Sequence, residues 1–593
     1  MSAPVSPARL LLLAVLAAGI GSGMAVVSAG LLKLIQLITA VAFYGRIGLA
    51  ESPADNSLGP AVILVPVAGA LIIGFLARYG SPAIRGHGIP EAMEQVLENA
   101  SRIPARITFL KPLSAAISIG TGGPFGAEGP IIATGGAAGS LLGQILPVSA
   151  SERKALLAAG AAAGMAATFG SPVSALLLAV ELLLFEFNIR SLIPVAIAVS
   201  CATLLRTAWM GGAPVFAMPA LSAPTIPAFA ACLVVAAIMG AAAYVISRAV
   251  FFCEARFEAL PLHWMWWPAL GAMAVGCIGY LDPRTLGVGY SNITDNLSGS
   301  GALQAIAILT GLKFLSWCIA LGSGTSGGTL APLMTIGSGL GWMAGVLLQG
   351  AVPTVDPHLT ALLGMACIFG AASQAMLASA VFAFETTGQS PALFVLLAGC
   401  AVSVWVFRAL GKTSIMTEKI ARRGISVPTG YSADIFAHTK VAAVMDRNPA
   451  TVPSTMRLTE LAGRVGRHDP ALGHHPAYPI LDAEGNLSGI VTRGDIFRAL
   501  ATAGGEETVR DCATTELACV SPSDSLRRAL EILWSRQIGG LPVVHPNHPE
   551  KLIGYLSHRG ILAAYDKNFH EELRQPGWFP PVVRGSGRRT KTR

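Results

Sequence analysis

Two glycine-rich segments about two hundred residues apart share one pattern, and this duplication constrains the fold more than any other feature of the chain. The first reads GTGGPFGAEGPIIATGGAAGSLLG from Gly120, and the second reads GSGTSGGTLAPLMTIGSGLGWMAG from Gly322. At an offset of 202, six glycines and one proline coincide. Each copy leads from a loop through a proline into an apolar run with small residues at every fourth position, which is typical of tightly packed membrane helices. Paired interrupted segments of this kind indicate a binding site near the middle of the bilayer.

The composition divides the chain into a membrane part and a soluble part. Of the 593 residues, 53% are hydrophobic and 12% are charged, whereas soluble domains average about 25% charged residues. Residues 1–411 carry only 32 of the 74 charged residues. We therefore predict an all-α polytopic membrane domain with broken helices over residues 1–435, followed by a soluble α/β (α+β) region.

The charges and cysteines exclude several classes of site. The nine cysteines form no CxxC pair and no zinc spacing, so we predict neither a metal centre nor a disulfide framework. Most of the net charge of +8 lies in the soluble part, which favours a cytoplasmic location for that part. We predict no nucleic-acid partner, because no basic stripe is interleaved with aromatic residues.

Three loops have the composition of an anion site. They read GHGIP from Gly86, GAEGP from Gly126 and GTLAP from Gly328. Free backbone N–H groups at helix N-termini bind anions, and glycine lets the backbone approach the ion closely. For any single loop, ordinary turn formation remains an alternative. The candidate anion-binding residues are Gly86, His87, Gly88, Ile89, Pro90, Gly126, Gly129, Pro130, Gly328, Thr329, Leu330 and Pro332.

Glu128 is the strongest candidate for a functional side chain in these loops. A carboxylate flanked by apolar runs is costly to bury in its charged form, so it indicates function. Its side chain is expected to compete with a permeating anion for the same amide-lined site and to leave when it is protonated. The alternative is a first-turn glutamate placed favourably on the helix dipole, and both roles are compatible.

At these three loops the chain resembles the CLC family of chloride channels and proton/chloride exchangers, over roughly residues 10–435. The resemblance implies an inverted duplication and a homodimer with a separate anion pathway in each subunit. It also implies that Glu128 is the external gating glutamate, and that Gly129, Thr329 and Leu330 offer backbone amides. Tyr431, in GYSADIF, resembles the tyrosine whose hydroxyl contacts the ion from the inside.

Two departures from the family pattern concern anion binding. The first signature usually carries a serine, where this chain has His87. An imidazole also donates an N–H to an anion, and it gains a charge near neutral pH. The usual phenylalanine of the third signature is Leu330, and we expect little loss of binding because the ligand is the backbone N–H.

A third departure concerns proton coupling. The segment FGSPVSALLLAVELLLFEF resembles the helix that carries two adjacent glutamates in the exchangers, of which the second relays protons. Here these positions are Glu181 and Leu182. Glu186 lies four residues beyond Leu182, which predicts the same helix face, so Glu181 and Glu186 are the candidate relay residues. We favour passive anion flow gated by voltage or pH, with a proton/chloride antiporter as the alternative. Glu385 in the second half is predicted to cap or brace a helix.

A weaker repeat occupies residues 440–565, with halves 440–503 and 508–567. Each half reads strand, helix, hairpin, helix, and the pair resembles tandem cystathionine-β-synthase (CBS) domains, regulatory modules that often bind adenine nucleotides. The resemblance places tentative nucleotide contacts at Thr492, Asp495 and Ser557, with Gly560 at the second aspartate position. A purely structural dimerisation role is the alternative, and no cofactor is required. Residues 573–593 are predicted to be a disordered basic tail.

Other protein classes fit the sequence less well. Gly324–Gly327 matches the GxSG motif of rhomboid proteases, but Ser326 has no well-placed histidine base, so we predict no enzyme. A CBS-regulated cation transporter would need more acidic residues in its spans. The sequence therefore predicts chloride or small-anion transport by a multi-pass protein of the cell membrane, with cytoplasmic CBS domains.

Overall fold

The structure is a computed structural model that describes residues 7–50, 52–411, 413–425, 427, 436, 439–467, 469–470, 472, 475–503 and 507–562. The described residues up to 427 form one compact unit, and those from 436 onward form a second. Tyr431 and the basic segment 573–593 lie outside the described residues.

The first unit is helical, and several of its helices are too short to cross a bilayer. The helices are α1 (Pro7–Tyr44), α2 (Leu64–Phe75), α3 (Ile89–Glu98), α4 (Ile107–Gly120), α5 (Glu128–Ile145), α6 (Ala150–Phe169), α7 (Pro172–Ala179), α8 (Ile189–Met210), α9 (Ile226–Glu258), α10 (Trp267–Leu281), α11 (Tyr290–Ser298), α12 (Leu303–Gly322), α13 (Leu330–Gln349), α14 (Pro357–Ser373), α15 (Met376–Thr387), α16 (Leu393–Leu410) and α17 (Glu418–Arg422). Within the described ranges, seven helical segments are long and apolar enough to cross a membrane. The predicted polytopic, broken-helix architecture is confirmed.

Small residues bring equivalent helix pairs of the two halves into backbone contact. In the first half, a Cβ atom at Gly135 of α5 would lie 2.1 Å from the carbonyl oxygen of Gly160 on α6. In the second half, a Cβ atom at Gly337 of α13 would lie 2.5 Å from the carbonyl oxygen of Gly364 on α14. The small residues at every fourth position therefore act as predicted, because they let helix backbones pack closely where the bilayer supplies no hydrophobic driving force.

Two glutamates cap helices of the opposite half: Glu181 caps α15, and Glu385 caps α7. The carboxylate of Glu181 accepts hydrogen bonds from the N–H groups of Leu377 and Ala378, at 3.0 and 2.9 Å. The carboxylate of Glu385 accepts from the N–H groups of Val173 and Ser174, at 3.0 and 2.8 Å. Such reciprocal contacts are what a two-fold relation between two repeats requires. The predicted capping role of Glu385 is confirmed, and Glu181 has the same role on α15.

Buried lysines occupy a second pair of equivalent positions. The Lys111 ammonium donates to the carbonyl oxygens of Ile84 and Gly86, both at 2.8 Å. The Lys313 ammonium donates to the carbonyl oxygens of Thr285 and Gly287, at 3.0 and 2.9 Å. Each lysine thus stabilises the loop that leads into a short helix, α3 in the first half and α11 in the second.

The second unit contains two small α/β halves, each with its own apolar core. In the first half, β1 (Val452–Pro453) pairs in parallel with β2 (Ala477–Leu481), which forms an antiparallel hairpin with β3 (Leu487–Thr492). Its helices are α18 (Leu458–Gly466) and α19 (Arg493–Ala503). The second half has α20 (Leu526–Arg536) and the hairpin of β4 (Gly540–His545) and β5 (His548–Ser557). Its first predicted strand is reduced to a single parallel bridge between Val520 and Val543.

The reciprocal caps predict equal losses of stability on either side of the repeat. Glu181→Gln and Glu385→Gln should each cost about 1–3 kcal/mol, because an amide replaces a charged acceptor of two N–H groups. Thermal denaturation of the purified protein in detergent measures this loss. Glu258→Gln, at the exposed end of α9, is the matched control. Unchanged midpoints in both cap variants would contradict the role.

Candidate functional site

The three predicted loops meet at one place, which is held together by backbone hydrogen bonds. Gly126 and Gly328, which are equivalent positions of the repeat, exchange two N–H to carbonyl bonds of 3.1 and 3.0 Å. The N–H of Gly86 donates to the carbonyl of Thr325 at 3.0 Å. These bonds attach the segment that leads into the GTLAP loop to both other loops, GHGIP and GAEGP.

Close backbone approach explains the glycines at this meeting point. A Cβ atom at Gly129 would lie 2.1 Å from the carbonyl oxygen of His87, and one at Gly328 would lie 2.5 Å from the carbonyl oxygen of Gly126. Gly88 has a φ of +95°, a conformation that strongly favours glycine. Any larger residue at these positions would force the loops apart.

Three helices begin at the junction, so their positive N-terminal ends converge there. Helix α3 begins at Ile89, α5 at Glu128 and α13 at Leu330. Pro90, Pro130 and Pro332 lie in their first turns, where a missing N–H costs nothing. Convergent helix N-termini provide an electrostatic site for an anion without a full positive charge.

The structure also decides which backbone N–H groups remain available to a ligand. Those of Gly86, Gly126 and Gly328 are used by the loop contacts. The N–H of Gly88 donates to the Glu91 carboxylate at 2.7 Å. These four amides are therefore not free to bind an anion, which corrects the sequence interpretation of their role.

The amides of Gly129, Thr329 and Leu330 differ from those four. Within the described part of the chain, their N–H groups have no hydrogen-bond acceptor. All three residues are buried at the starts of α5 and α13. They remain the amide donors at this junction.

Glu128 lies at the centre of the site and is fully buried, with 0% of its surface exposed. Its Oε1 accepts a hydrogen bond of 2.9 Å from the hydroxyl of Tyr290. Its own backbone N–H and that of Ala331, in the first turn of α13, also interact with the carboxylate. Among the described residues, Oε2 has no side-chain partner, and a Cβ atom at Gly126 would lie only 1.7 Å from it. The carboxylate thus occupies the place where helix N-termini would hold an anion.

His87 is the other polar side chain of the first loop. It is buried, and its ring interacts with the backbone of Ile415. Its Nδ1 has no hydrogen-bond partner within the ranges that the structure covers. The charged groups around the ring are Glu91, Lys111 and Lys419. An unpaired ring nitrogen in a buried loop has the chemistry of an anion ligand once it carries a proton.

The candidate proton-relay residues, Glu181 and Glu186, do not lie along one continuous helix. Helix α7 continues as a π-helical turn, Val180–Leu184, and ends at Phe185, whose φ is +53°. The prediction that Leu182 and Glu186 share a helix face is therefore wrong, because the helix ends between them. Glu186 instead accepts a bond of 2.9 Å from the Ser191 hydroxyl and lies 3.7 Å from the Lys154 ammonium. Leu182 is buried.

Ser326, the serine of the GxSG motif, lies beside another serine. Its Oγ lies 3.0 Å from the Ser114 Oγ, and no histidine hydrogen bonds to it among the described residues.

The second unit contains a cavity of about 1100 Å³ between its two halves. Thr492 and Ser557 line it, together with His558 and Arg559. Tyr555 also lines it, and burial raises the pKa of its phenol to about 12, so the hydroxyl stays protonated.

Asp495 is already engaged locally at the start of α19. Its carboxylate accepts from the N–H and the hydroxyl of Thr492, at 3.0 and 2.7 Å. It also lies 3.4 Å from the Arg498 guanidinium. The residue thus caps its own helix, and a ribose hydroxyl would have to share it with these partners.

Tyr290 is the site residue that the sequence interpretation missed. It begins α11 after Gly287-Val288-Gly289, which repeats the spacing of Gly86-His87-Gly88 at an offset of 201. A search for this shorter repeat would have found it.

Comparison with known proteins gives the family. Residues 69–408 match the family model described as voltage gated chloride channel, and residues 441–502 and 509–567 match the CBS domain. The chloride channel protein CLC-f of Arabidopsis thaliana is 25% identical over 595 residues, covering 84% of this chain and 73% of that protein. The H(+)/Cl(-) exchange transporter ClcA of Vibrio parahaemolyticus is 27% identical over 372 residues, covering 61% of this chain and 79% of the other.

Two solved structures have the same fold. A slow cyanobacterial Cl-/H+ antiporter superposes with a TM-score of 0.62 at 22% identity, covering 69% of this chain and 97% of its own. A eukaryotic CLC transporter superposes with a TM-score of 0.62 at 18% identity, covering 93% of this chain and 98% of its own. The chain therefore belongs to the CLC (voltage-gated chloride channel) family of membrane anion-transport proteins and carries two CBS domains after its membrane unit.

Proposed function

We propose that this protein lets chloride or another small anion flow passively across the membrane through a pathway gated by Glu128. The observation that carries this proposal is the buried Glu128 carboxylate, which lies against the N-terminus of α13 and at the start of α5. A carboxylate in that position competes with a mobile anion for the same amides. Protonation removes its charge, so the pathway opens as the external pH falls.

The surroundings of α7 support passive flow. Leu182 is buried and aliphatic where the exchangers of the family carry a second glutamate, and an aliphatic side chain carries no proton. Glu181 has both carboxylate oxygens engaged with the N-terminus of α15. Glu186 lies beyond the end of the helix beside Lys154. The neighbours of Glu181 and Glu186 are therefore not those expected of a proton relay along α7.

Proton/chloride exchange is the second candidate, and the names of similar proteins favour it. The relative from Vibrio parahaemolyticus is an H(+)/Cl(-) exchange transporter, and the cyanobacterial structure is an antiporter. In this alternative, Glu186 would accept protons at the end of α7, and Glu128 would exchange them with the other side of the membrane.

The remaining features of the proposal concern assembly and regulation. The protein acts as a homodimer in the cell membrane, with one pathway in each subunit and the CBS domains on the cytoplasmic side. An adenine nucleotide binds in the cavity of the CBS unit, where Thr492 and Ser557 contact it and Arg559 supplies positive charge for its phosphates. Nucleotide binding then regulates the anion flux.

Chloride efflux from reconstituted liposomes, recorded together with external pH, tests the gate and the coupling. The wild-type flux should fall as pH rises from 5 to 8, whereas the flux of Glu128→Ala and Glu128→Gln should not depend on pH over this range. Because no relay residue follows Leu182 on the helix, chloride should move without a fixed ratio of protons.

Two outcomes would contradict parts of this proposal. Proton movement in fixed ratio to chloride, lost in Glu128→Ala and in Glu186→Gln, would establish exchange instead. A pH profile unchanged by Glu128→Ala would remove the gating role. Replacement of sodium by a bulky organic cation controls for cation flux, which should be absent.

His87 should contribute to anion affinity in a pH-dependent way. His87→Ala should weaken chloride binding about tenfold at pH 4, because a hydrogen bond from a charged donor is worth roughly 1.5–3 kcal/mol and the buried ring carries its second proton only in acid. Calorimetric titration at pH 4 and pH 8 measures the loss of affinity. His87→Ser, which restores the family's usual donor, should bind chloride equally at both values. Equal binding by wild type and His87→Ala at both would contradict the role.

Arg559→Ala should reduce ATP binding to the full-length protein about tenfold, because it removes a phosphate partner from the cavity. Equilibrium binding of labelled ATP measures the effect. Arg510→Ala removes another exposed arginine of the same unit that does not line the cavity, and should leave binding unchanged. If wild type shows no saturable binding, the CBS pair has a structural role only.

A further inference from the structure

The loop before α11 is the equivalent, in the second repeat, of the loop that carries His87. Gly287 and Gly289 have positive φ values of +66° and +75°, as Gly86 and Gly88 have +89° and +95°. In both loops, two carbonyl groups accept hydrogen bonds from a buried lysine of the helix that follows the short helix, Lys111 on α4 or Lys313 on α12. The two loops therefore present the first residue of a short helix in equivalent positions.

The first residue of the short helix differs between the repeats. In the first repeat it is Ile89, which is apolar, and in the second it is Tyr290. The Tyr290 hydroxyl reaches Glu128 and donates a hydrogen bond of 2.9 Å to its Oε1. The N–H of Ala127 interacts with the same hydroxyl oxygen. The hydroxyl thus accepts from the Ala127 N–H while it donates to the Glu128 carboxylate.

Aromatic packing fixes the ring that carries this hydroxyl. Tyr290 makes edge-to-face contacts with Phe169 and Phe216, at centroid distances of 5.7 and 6.1 Å. Phe169 in turn packs edge-to-face on Phe382 of the second repeat, at 5.0 Å. Such contacts hold a ring in one orientation, so the hydroxyl does not need to be ordered when Glu128 moves into place.

In the described part of the site, no other side chain donates a hydrogen bond to the Glu128 carboxylate. The groups that interact with the Glu128 carboxylate are the Tyr290 hydroxyl and the backbone N–H groups of Glu128 and Ala331. Lys313 on α12 contacts the α11 loop, and its ammonium donates to two carbonyl oxygens there. The charged groups of the first loop, Glu91 and Lys111, bond to Gly88 and to carbonyls of residues 84 and 86.

We propose that Tyr290 is a positioning residue that latches Glu128 in the blocking position. A hydroxyl donor stabilises an ionised carboxylate more than a protonated one, so the bond is strongest when the gate is closed. Protonation of Glu128 weakens the bond and frees the side chain to leave. The inference rests on the proposed gating role of Glu128 and adds the group that sets the pH at which the gate opens.

The experiment is the pH dependence of chloride efflux from liposomes that contain Tyr290→Phe, which keeps the ring and removes the hydroxyl. Loss of a hydrogen bond to a charged group should move the pH of half-maximal flux upward by roughly one to two units. Tyr244→Phe, the same chemical change on α9 where the ring packs on Phe407, is the matched control and should not shift the profile. In the Glu128→Ala background, Tyr290→Phe should have no effect.

A second variant keeps the test independent of folding. Difluorotyrosine at position 290 retains the ring and the hydroxyl but is a stronger donor, so it should shift the profile to lower pH. A Tyr290→Phe profile that superposes on wild type, while Glu128→Ala abolishes the pH dependence, would overturn the latch and leave the gating proposal intact. Equal effects of Tyr290→Phe with and without Glu128 would also overturn it, since they would show a packing role. Unchanged pH dependence in Glu128→Ala alone would instead reject the gate.

Discussion

A pair of backbone hydrogen bonds between Gly126 and Gly328 is the contact on which the rest of the membrane unit depends. It joins equivalent points of the two repeats directly, with no side chain between them. Because the two backbones touch there, α5 and α13 begin at the same place and direct their positive ends toward it. The small residues farther along these helices extend the close packing outward, against α6 and α14.

The two repeats are alike in the contacts that hold the fold together, but they differ in the side chains at the loop junction. Glu181 and Glu385 cap equivalent helices, and both capping sites use two N–H groups. At the junction, however, the position equivalent to Glu128 is Leu330, and the position equivalent to Ile89 is Tyr290. Each of two loops thus occurs once in either repeat, and only one copy of each carries the polar side chain, Glu128 in one loop and Tyr290 in the other.

The helix after α6 illustrates where reasoning from spacing fails. A four-residue separation places two side chains on one face only while the backbone remains α-helical. Here the helix passes into a π turn and ends at Phe185, so the separation between Leu182 and Glu186 carries no such meaning. Gly88 is a comparable case, since its predicted free amide is bound by the Glu91 carboxylate three residues later.

The sequence by itself determined the duplication, the broken helices, the three loops and the paired α/β modules, because each is written in local composition and in glycine and proline spacing. It also identified Glu128, since an acidic residue inside an apolar loop is unusual. Only the tertiary structure decided which amides stay free, that Glu181 reaches the opposite repeat, and that Tyr290 bonds to Glu128 across 162 residues of chain. These contacts depend on how separate helices approach one another, and no local pattern in the chain encodes that distance.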